Sequence, residues 1–447
     1  ISMNMFGTDG VRGRANEEPM TATTVSKFGI VVGSLFLPKT SRGRVVIGKD
    51  TRLSGYMIES ALTAGLASAG MDSILVGPMP TPAISMLTKH TNAHLGIMIS
   101  ASHNPFEDNG IKLFGPDGYK LTDEMESNIE NMMNENCSTL LASPQDLGRA
   151  FRLEEANEKY IEYLKQTLPQ GQSLKGLKIV LDCANGAAYR IAPLVLSELG
   201  AKVTCLGDNP NGLNINSKCG ALDTKLMQET VCNEGADIGI ALDGDADRLI
   251  MADEKGEIVD GDQILATIAQ AWKTQGKLLE NKVIGTVMSN FGLEQFLNSI
   301  EVDLVRVQVG DRFVVEKMRS SGCNLGGEQS GHTIISDYSA TGDGILVALQ
   351  MLSIIAESGV PTSKSCRLFR SKPQIQKNVS YSAKRPVMDN KITAIVEEYE
   401  KIIGNKGRLL VRKSGTEPVI RVMAEGEDRE IVSKVVDNVA EALENII

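Results

Sequence analysis

The 447-residue chain is poor in aromatic residues, which restricts how its hydrophobic cores can be built. Aromatics make up 4% of the sequence and include one tryptophan, Trp272, so the interior must consist mainly of Ile, Leu, Val, Met and Ala. A chain of this length is too long for a single core, and three or four domains are expected. The 42% hydrophobic and 23% charged content is typical of a globular protein.

The sequence also has no pattern of paired cysteines. The seven cysteines are an odd number and form no C-x-x-C pair, which disfavours both a disulfide framework and a zinc site. Several of them, such as Cys183 and Cys205, lie in strand-like surroundings. The pattern indicates free buried thiols in a reducing environment, so a cytoplasmic location is expected.

Long apolar runs and a surplus of basic residues are also absent. No hydrophobic stretch reaches the length that crosses a membrane, and no signal peptide is recognisable. The formal net charge of −10 disfavours a nucleic-acid partner, because phosphate backbones are bound by clustered Lys and Arg. We therefore expect neither a membrane nor a nucleic-acid partner, whereas a small phosphorylated substrate would need only a few local cations.

Three segments repeat one pattern of a cationic residue, a buried strand and a small polar turn. They are RVVIGKD at 44–50, KIVLDCANG at 178–186 and KVIGTVMSN at 282–290. Each precedes a plausible helix and a second strand, which is the order of a parallel crossover unit. The sequence therefore predicts three related α/β domains.

A second repeat places polar residues at equivalent strand ends. AHLGIMISAS aligns without gaps on ADIGIALDGD, which sets Ser102 against Asp245, and CNLGGEQS, which contains Glu328, is a weaker third copy. Polar residues at the carboxyl ends of such strands usually line the binding crevice. These residues are expected to face one shared cleft, unless the strands resemble one another by composition alone.

After about residue 371 the pattern changes to that of a small α+β domain with an antiparallel sheet. The predicted fold is thus α/β, with three related mixed α/β domains plus a C-terminal α+β domain around a central cleft. The expected domains are residues 1–150, 151–255, 256–370 and 371–447.

The motif DGDADR carries three carboxylates at alternate positions, Asp243, Asp245 and Asp247. The small residues between them allow a tight turn in which the carboxylates converge on one hard cation. This composition predicts a Mg²⁺ site with oxygen ligands. The alternative is an acidic surface turn, which the apolar strand IGIAL before it disfavours.

The motif SASHNP offers Ser102 as a reactive hydroxyl, with Ser100 as a supporting turn residue. The G-x-S-x-G elbow of serine hydrolases is absent. A phosphate on this hydroxyl would explain the nearby carboxylate trio, because a divalent ion could bridge the two sets of charges. Lys112 would then supply positive charge to the transferring group.

Three further motifs are candidates for substrate binding. In VRKSGTEPVIR a small polar turn lies between cations, as in a phosphate cradle, although a solvated basic hairpin is the alternative. GGEQSGH offers acceptors for sugar hydroxyls or an amine, and a lone histidine such as the one it contains is more often structural than catalytic. FGTDGVRG, with Arg12, is either a phosphate-binding or a plain tight turn.

Taken together, these five motifs resemble in content and order those of the α-D-phosphohexomutase superfamily, and closely those of its phosphoglucosamine mutase branch. The resemblance covers essentially the whole chain. It implies that Ser102 is a phosphoserine and that one Mg²⁺ per subunit is held by Ser102, Asp243, Asp245 and Asp247. For the remaining site residues it implies catalytic positions at Arg12, Lys112 and His332, and substrate contacts from Arg248, Glu328, Ser330, Arg412, Ser414, Gly415, Thr416 and Arg421.

The implied reaction interconverts glucosamine 6-phosphate and glucosamine 1-phosphate, on the route to UDP-N-acetylglucosamine and cell-wall precursors. A glucosamine 1,6-bisphosphate intermediate turns round in the cleft, and this or a related hexose bisphosphate would serve as activator. The resemblance also allows a homodimer. The alternatives are a phosphoglucomutase or phosphomannomutase, a metal-dependent sugar phosphatase, and a non-catalytic sugar-phosphate sensor.

Two positions depart from the family pattern. Gln308 stands where a lysine is common, and Arg306 or Arg312 could supply the missing charge. Lys413 replaces a common proline in the phosphate cradle.

Overall fold

The computed structural model describes residues 4–382, 389–414 and 417–447. These residues form four sheets of seven, five, four and three strands. The first three sheets mix parallel and antiparallel strands and are flanked by helices, whereas the last is antiparallel. The predicted fold class is confirmed.

The first domain is built on the seven-stranded sheet, whose order is β1-β2-β6-β5-β3-β4-β7. Its strands are β1 (Phe6–Gly7), β2 (Gly10–Arg14), β3 (Gly43–Lys49), β4 (Met71–Pro78), β5 (Leu95–Ile99), β6 (Asp108–Phe114) and β7 (Ala150–Arg152). Its helices are α1 (Ala22–Phe36), α2 (Ser54–Ser68), α3 (Thr81–His90) and α4 (Asp123–Met133), followed by 3₁₀ turns at Cys137–Leu140 and Pro144–Asp146.

The second domain has the strand order β12-β11-β10-β8-β9. Its strands are β8 (Lys178–Asp182), β9 (Lys202–Leu206), β10 (Ile238–Leu242), β11 (Leu249–Ala252) and β12 (Ile258–Val259). Its helices are α5 (Ala156–Gln166), α6 (Ile191–Glu198) and α7 (Lys225–Glu234).

The third domain has the strand order β14-β13-β15-β16. It consists of α8 (Gly261–Gln275), a 3₁₀ turn at Leu279–Asn281, β13 (Lys282–Thr286), α9 (Phe291–Ser299), β14 (Asp303–Val307), α10 (Asp311–Ser321), β15 (Leu325–Gly327), β16 (Thr333–Ile335), α11 (Gly344–Ser358) and α12 (Thr362–Ser365).

The fourth domain packs two helices on a sheet of order β17-β19-β18. Its elements are β17 (Gln374–Ser380), α13 (Asp389–Ile403), a 3₁₀ turn at Gly404–Lys406, β18 (Gly407–Lys413), β19 (Val419–Gly426) and α14 (Arg429–Glu444).

The first three sheets share one arrangement of four strands. A central strand (β3, β8 or β13) pairs in parallel with the next strand along the chain and with a third strand (β5, β10 or β15). The third strand then pairs with an antiparallel fourth, β6, β11 or β16. The motifs SASHNP, DGDADR and GGEQSGH lie at the ends of these third strands, so the repeat seen in the sequence is a repeat in three dimensions.

Helix ends follow local chemistry. The side chains of Asp260, Asn290 and Asp343 accept backbone N–H groups at the starts of α8, α9 and α11. Such caps satisfy amides that have no partner within the helix. At the other end, Gly276 closes α8 in the left-handed region, which glycine adopts without a Cβ clash.

The apolar core joins the first three domains and leaves the fourth apart. One continuous cluster of buried residues includes Val46 of β3, Leu181 of β8 and Leu325 of β15. A separate cluster, with Ile420 and Val436 among its members, fills the space between the last sheet and its helices. Across residues 4–382, 389–414 and 417–447, no helix combines the length and apolar character needed to cross a bilayer.

Asp262, in the first turn of α8, is a buried acid that should make stability depend on pH. Its carboxylate accepts the N–H of Asn290 at 3.0 Å, and burial, aided by the charge of Asp260, raises its pKa to about 7. The charge of Glu425 contributes to this raised pKa, whereas the hydrogen bond from Asn290 and the charge of Arg306 oppose it. Because the folded-state pKa lies above the unfolded value of about 4, folding is disfavoured progressively as pH rises from about 4 to about 7.

Asp262→Asn should remove this component while keeping an oxygen that can accept from Asn290. The melting temperature of the variant relative to the natural chain should therefore increase from about pH 4 to about pH 7 and stay constant above that. Thermal unfolding across this range checks the prediction. A difference in melting temperature that does not change with pH would show that Asp262 does not titrate in this window.

Candidate active site

The loop after β5 holds Ser102 in a strained conformation. Its φ is +54°, in the left-handed region that costs a non-glycine residue roughly 1 kcal/mol. The side chain is almost fully buried, and the backbone N–H of Ser102 donates to the hydroxyl of Ser100 at 2.9 Å. Ser100 in turn donates to Asp50 at 2.5 Å. Ser100 is thus a supporting residue of the loop, as the sequence suggested.

The side chain of Arg52 forms hydrogen bonds along the loop that contains Ser102. It is completely buried and pairs with Asp50 at 2.8 Å through Nε. Its Nη2 donates to the carbonyl of Ser102 at 2.9 Å, and its Nη1 donates to the carbonyls of Asn104, Pro105 and Asp108. One guanidinium therefore satisfies four carbonyls of a tight turn and keeps Ser102 in its strained conformation.

The second domain completes the enclosure of Ser102. Asn216 donates through Nδ2 to the carbonyls of Ser102 at 2.9 Å and Asn104 at 3.1 Å. At Gly244, a Cβ would lie only 2.5 Å from the Ser102 carbonyl, so the close approach of the two loops requires glycine.

The carboxylates of DGDADR converge as predicted. Asp243, Asp245 and Asp247 are all buried, and one potential ligand atom from each lies within 4.8 Å of the others. The turn that brings them together passes through Ala246 at φ +56°. The hydroxyl of Ser102 donates to Asp243 at 2.8 Å, so the predicted serine and the trio meet in one place.

The unsatisfied oxygens of this cluster fit a hard divalent cation. Oδ1 of Asp245 and Oδ1 of Asp247 are buried and accept no hydrogen bond from the residues that the structure describes, which is costly unless another ligand is present. Burial, and after it the charges of Asp247 and Asp245, raises the pKa of Asp243 well above its usual range. A cation coordinated by three carboxylate oxygens would remove both costs.

Lys112 supplies the nearest compensating charge from the first domain. It is fully buried, and its Nζ lies 2.7 Å from Asp245 and 3.7 Å from Asp247. Burial alone would lower its pKa, but Asp245, Asp9 and Asp247 raise it well above the usual value, so it is a cation. Thr81, at the start of α3, also donates to Asp245, at 2.6 Å.

Arg12 and Arg248 line the same region. Arg12 lies on β2 and pairs with Asp9 at 2.8 Å, while its buried Nε has no hydrogen-bond acceptor within the described part of the chain. The backbone N–H of Arg248 donates to Asp243 at 3.2 Å, and its Nε lies 3.9 Å from the same carboxylate. Neighbouring His103 is half-buried, and burial together with these two arginines lowers its pKa to about 4.

The third domain contributes His332 and Glu328. Nε2 of His332 lies 3.0 Å from Asp247, and Nδ1 lies 3.4 Å from Glu328. Burial alone would lower the pKa of this histidine, but Asp247 raises it to about 10. Glu328 also accepts the N–H of Gly310 at 3.0 Å, whereas Ser330 in the same turn is exposed.

The predicted phosphate cradle lies at the β18–β19 hairpin of the fourth domain. Arg412 and Arg421 are paired across the two strands, and Ser414 accepts the N–H of Glu417 at 3.2 Å. Gly415 and Thr416 lie outside the described residues. Both of these contacts lie within the fourth domain.

Neither arginine considered as a substitute for a lysine at Gln308 is free. Arg306 donates to the carbonyls of Thr286 at 3.0 Å and Ser289 at 2.7 Å. Arg312 pairs with carboxylates of α4. Gln308 itself is exposed.

Several site residues were not found from the sequence. Asp50 and Arg52 follow β3 just as Ser100 and Ser102 follow β5. The expectation that polar residues at the carboxyl ends of such strands line the crevice could therefore have identified them. Asn216 and Thr81 lie in segments with no such signal. Their importance depends on contacts between domains.

Four family models cover the chain in order. They describe the α/β/α domains I, II and III and the C-terminal domain of phosphoglucomutase/phosphomannomutase, and they match residues 3–139, 158–256, 260–371 and 375–442. The chain belongs to this phosphohexomutase family. The family resemblance inferred from the five motifs is confirmed.

Curated relatives are similar over the full length. A phosphoglucosamine mutase from Azorhizobium caulinodans is 56% identical over 446 residues, covering 100% of both chains. Another from Granulibacter bethesdensis is 56% identical over 439 residues, covering 98% of this chain and 96% of the relative.

Solved structures of low identity share the fold. A phosphoglucomutase/phosphomannomutase family protein from Burkholderia thailandensis has a TM-score of 0.82 at 22% identity, covering 98% of this chain and 97% of its own. The Aspergillus fumigatus N-acetylphosphoglucosamine mutase, in complex with GlcNAc-6P and magnesium, has a TM-score of 0.67 at 17% identity, covering 99% and 96%.

The loop geometry predicts that Arg52→Lys impairs catalysis in this phosphohexomutase. A lysine cannot donate to four carbonyls at once, so the Ser102 loop should lose its fixed conformation. We expect kcat for a phosphosugar to fall by about 100-fold, the size of effect that a displaced reacting group causes. Steady-state kinetics check this. Arg42→Lys, at an exposed ion pair with Asp72, is the matched control, and an Arg52→Lys variant as active as that control would contradict the assigned role.

Proposed function

We propose that the chain is a phosphoglucosamine mutase that interconverts glucosamine 6-phosphate and glucosamine 1-phosphate. The observation that carries the proposal is the hydroxyl of Ser102, held 2.8 Å from Asp243 at the edge of a buried three-carboxylate cluster. The names of relatives 56% identical over their full length support the amino-sugar substrate.

Ser102 is proposed to carry the phosphoryl group between turnovers. Asp243, Asp245, Asp247 and a phosphate oxygen on Ser102 would hold Mg²⁺, which when bound supplies positive charge to the transferring phosphoryl group. The unsatisfied oxygens of Asp245 and Asp247 support this ligand set. Without a cation, a dianionic phosphoserine beside three carboxylates would be strongly repelled.

Other residues of the chain bind the sugar phosphate and transfer protons. Lys112 adds a fixed positive charge 2.7 Å from Asp245. Arg12 and Arg248 offer guanidinium groups for phosphate oxygens. His332, between Asp247 and Glu328, is a candidate proton donor or acceptor for the sugar hydroxyl, and Glu328 and Ser330 would contact the sugar itself.

Arg412, Ser414, Gly415, Thr416 and Arg421 are proposed to bind the phosphate that is not reacting. A fixed cradle of this kind can accept either end of glucosamine 1,6-bisphosphate. Phosphorylated Ser102 would donate its phosphoryl group to O1 of glucosamine 6-phosphate and become a free hydroxyl. The resulting bisphosphate would turn round, return its 6-phosphoryl group to the hydroxyl of Ser102 and leave as glucosamine 1-phosphate. Glucosamine 1,6-bisphosphate, or a related hexose bisphosphate, would for the same reason act as an activator. It would transfer a phosphoryl group to a Ser102 that has lost its own.

The substrate assignment predicts a ranking of sugar phosphates. Purified protein should convert glucosamine 6-phosphate with a kcat/KM at least about 10-fold above that for glucose or mannose 6-phosphate, because recognition of one polar group is worth about this factor or more. Release of inorganic phosphate should be negligible. A preference for glucose or mannose would assign the chain to another phosphohexomutase, and stoichiometric phosphate release would indicate a phosphatase.

Ser102→Ala should abolish nearly all turnover while leaving the thermal unfolding of the protein unchanged. Ser138→Ala, at an exposed position in the first domain, is the matched control. Intact mass before and after phosphatase treatment, with peptide mapping, should place a phosphate on Ser102. Near-normal activity of Ser102→Ala would exclude this serine as the phosphate carrier.

The metal assignment predicts that chelation with EDTA removes activity and that Mg²⁺ restores it. Asp247→Asn should weaken Mg²⁺ binding in a calorimetric titration by at least about 10-fold, the effect expected for loss of one charged ligand. Asp303→Asn, at an exposed position on β14, should bind Mg²⁺ as the natural chain does. Activity that survives chelation would contradict a metal at this site.

A further inference from the structure

Lys120 joins the first domain to the third near the active site. It follows the turn after β6, and its Nζ donates to Asp9 at 2.8 Å and to Asp311 at 2.7 Å. Asp9 belongs to the first domain, whereas Asp311 begins α10 of the third. Only 17% of the Lys120 side chain is exposed, so both ion pairs form in a largely desolvated setting.

This contact continues into the carboxylate cluster. The second carboxylate oxygen of Asp9 lies 2.8 Å from Arg12 and 3.5 Å from Lys112. Lys112 lies 2.7 Å from Asp245 of the second domain. Alternating charges thus run from Asp311 through Lys120, Asp9 and Lys112 to Asp245, and they connect three domains.

The other end of this charge chain reaches the loop that is expected to bind the sugar. Asp311 directly follows Gly310, whose N–H donates to Glu328 at 3.0 Å. Glu328 lies 3.4 Å from His332. Any shift of Asp311 would therefore be transmitted to the residues of GGEQSGH.

Lys120 lines two voids close to the buried charges. A cavity of about 720 Å³ between the first and third domains is lined by Lys120, Asp311 and Arg312. Lys120 also lines a much smaller void together with Asp9 and Lys112. Removing the charged end of this side chain would let water approach Lys112, whose strong ion pairs depend on a desolvated setting.

We propose that Lys120 is a positioning residue. Through its two ion pairs it couples the position of the third domain to the position of the charged Lys112 at the site of phosphoryl transfer. The kinetic test of this inference rests on the proposed mutase function, whereas the hydrogen–deuterium exchange test does not. Lys120 acts through Asp9 and Asp311 and makes no contact of its own with the reacting groups. The rival interpretation is a bridge that stabilises the packing of two domains and has no effect on catalysis.

The kinetic test compares Lys120→Met with Lys120→Arg. Methionine keeps the length of the side chain but removes its charge, so kcat should fall by at least about 10-fold, while KM for glucosamine 6-phosphate changes by less than about threefold. Arginine should restore at least a third of the natural kcat, because it can pair with both carboxylates. Lys165→Met, which removes a surface ion pair within the second domain, is the matched control and should leave kcat unchanged.

A second test does not require turnover. In hydrogen–deuterium exchange, Lys120→Met should speed exchange at residues 8–13 and 310–314, because both segments are attached through Lys120. Lys165→Met should leave these segments unchanged. If the natural chain fails to convert glucosamine 6-phosphate, the proposed substrate is wrong, and the exchange result then tests whether Lys120 connects the two segments.

Two outcomes would overturn the inference. One is unchanged exchange in both segments. The other is a Lys120→Met enzyme within twofold of the natural kcat although its melting temperature falls, which would establish a purely structural bridge. A double variant adds a further check. Because Lys120 and Asp311 act through one ion pair, Lys120→Met combined with Asp311→Asn should reduce kcat no more than the stronger single variant does.

Discussion

The close approach of three buried carboxylates is the constraint on which the rest of the structure depends. Asp243, Asp245 and Asp247 come from one turn after β10, and burial amplifies their mutual repulsion. Such a cluster persists only where positive charge and hydrogen-bond donors are brought to it. The surrounding domains supply these positive charges and hydrogen-bond donors.

The compensating groups come from different domains. Lys112 and Thr81 reach Asp245 from the first domain, and His332 reaches Asp247 from the third. Because these donors belong to two different domains and the carboxylates to another, the charges can meet only if the domains pack in a fixed arrangement. The continuous apolar core through the first three domains supplies that rigidity, whereas the fourth domain is packed around a separate core.

Much of this site could be predicted because the fold repeats. Polar residues after equivalent buried strands meet at one edge, which is why Ser102, the carboxylate trio and Glu328 were found from strand patterns and motifs. Asn216 was missed because its function is to satisfy carbonyl groups of a loop distant in sequence, and the position of Arg52 after β3 does not show which carbonyl groups it binds. A backbone carbonyl is present at every residue, so no side-chain pattern shows which ones will need a partner.

The sequence by itself determined the three-fold repetition of α/β units, the carboxylate turn, the family and the loop that carries Ser102, since all of these depend on local order along the chain. Tertiary structure alone decided that Ser102 adopts a left-handed conformation, that Arg52 holds it there and that Lys120 connects the third domain to Lys112. The physical reason is that charge pairing in a desolvated interior depends on distances of a few ångströms between segments far apart in sequence. Only the packing of the domains sets those distances.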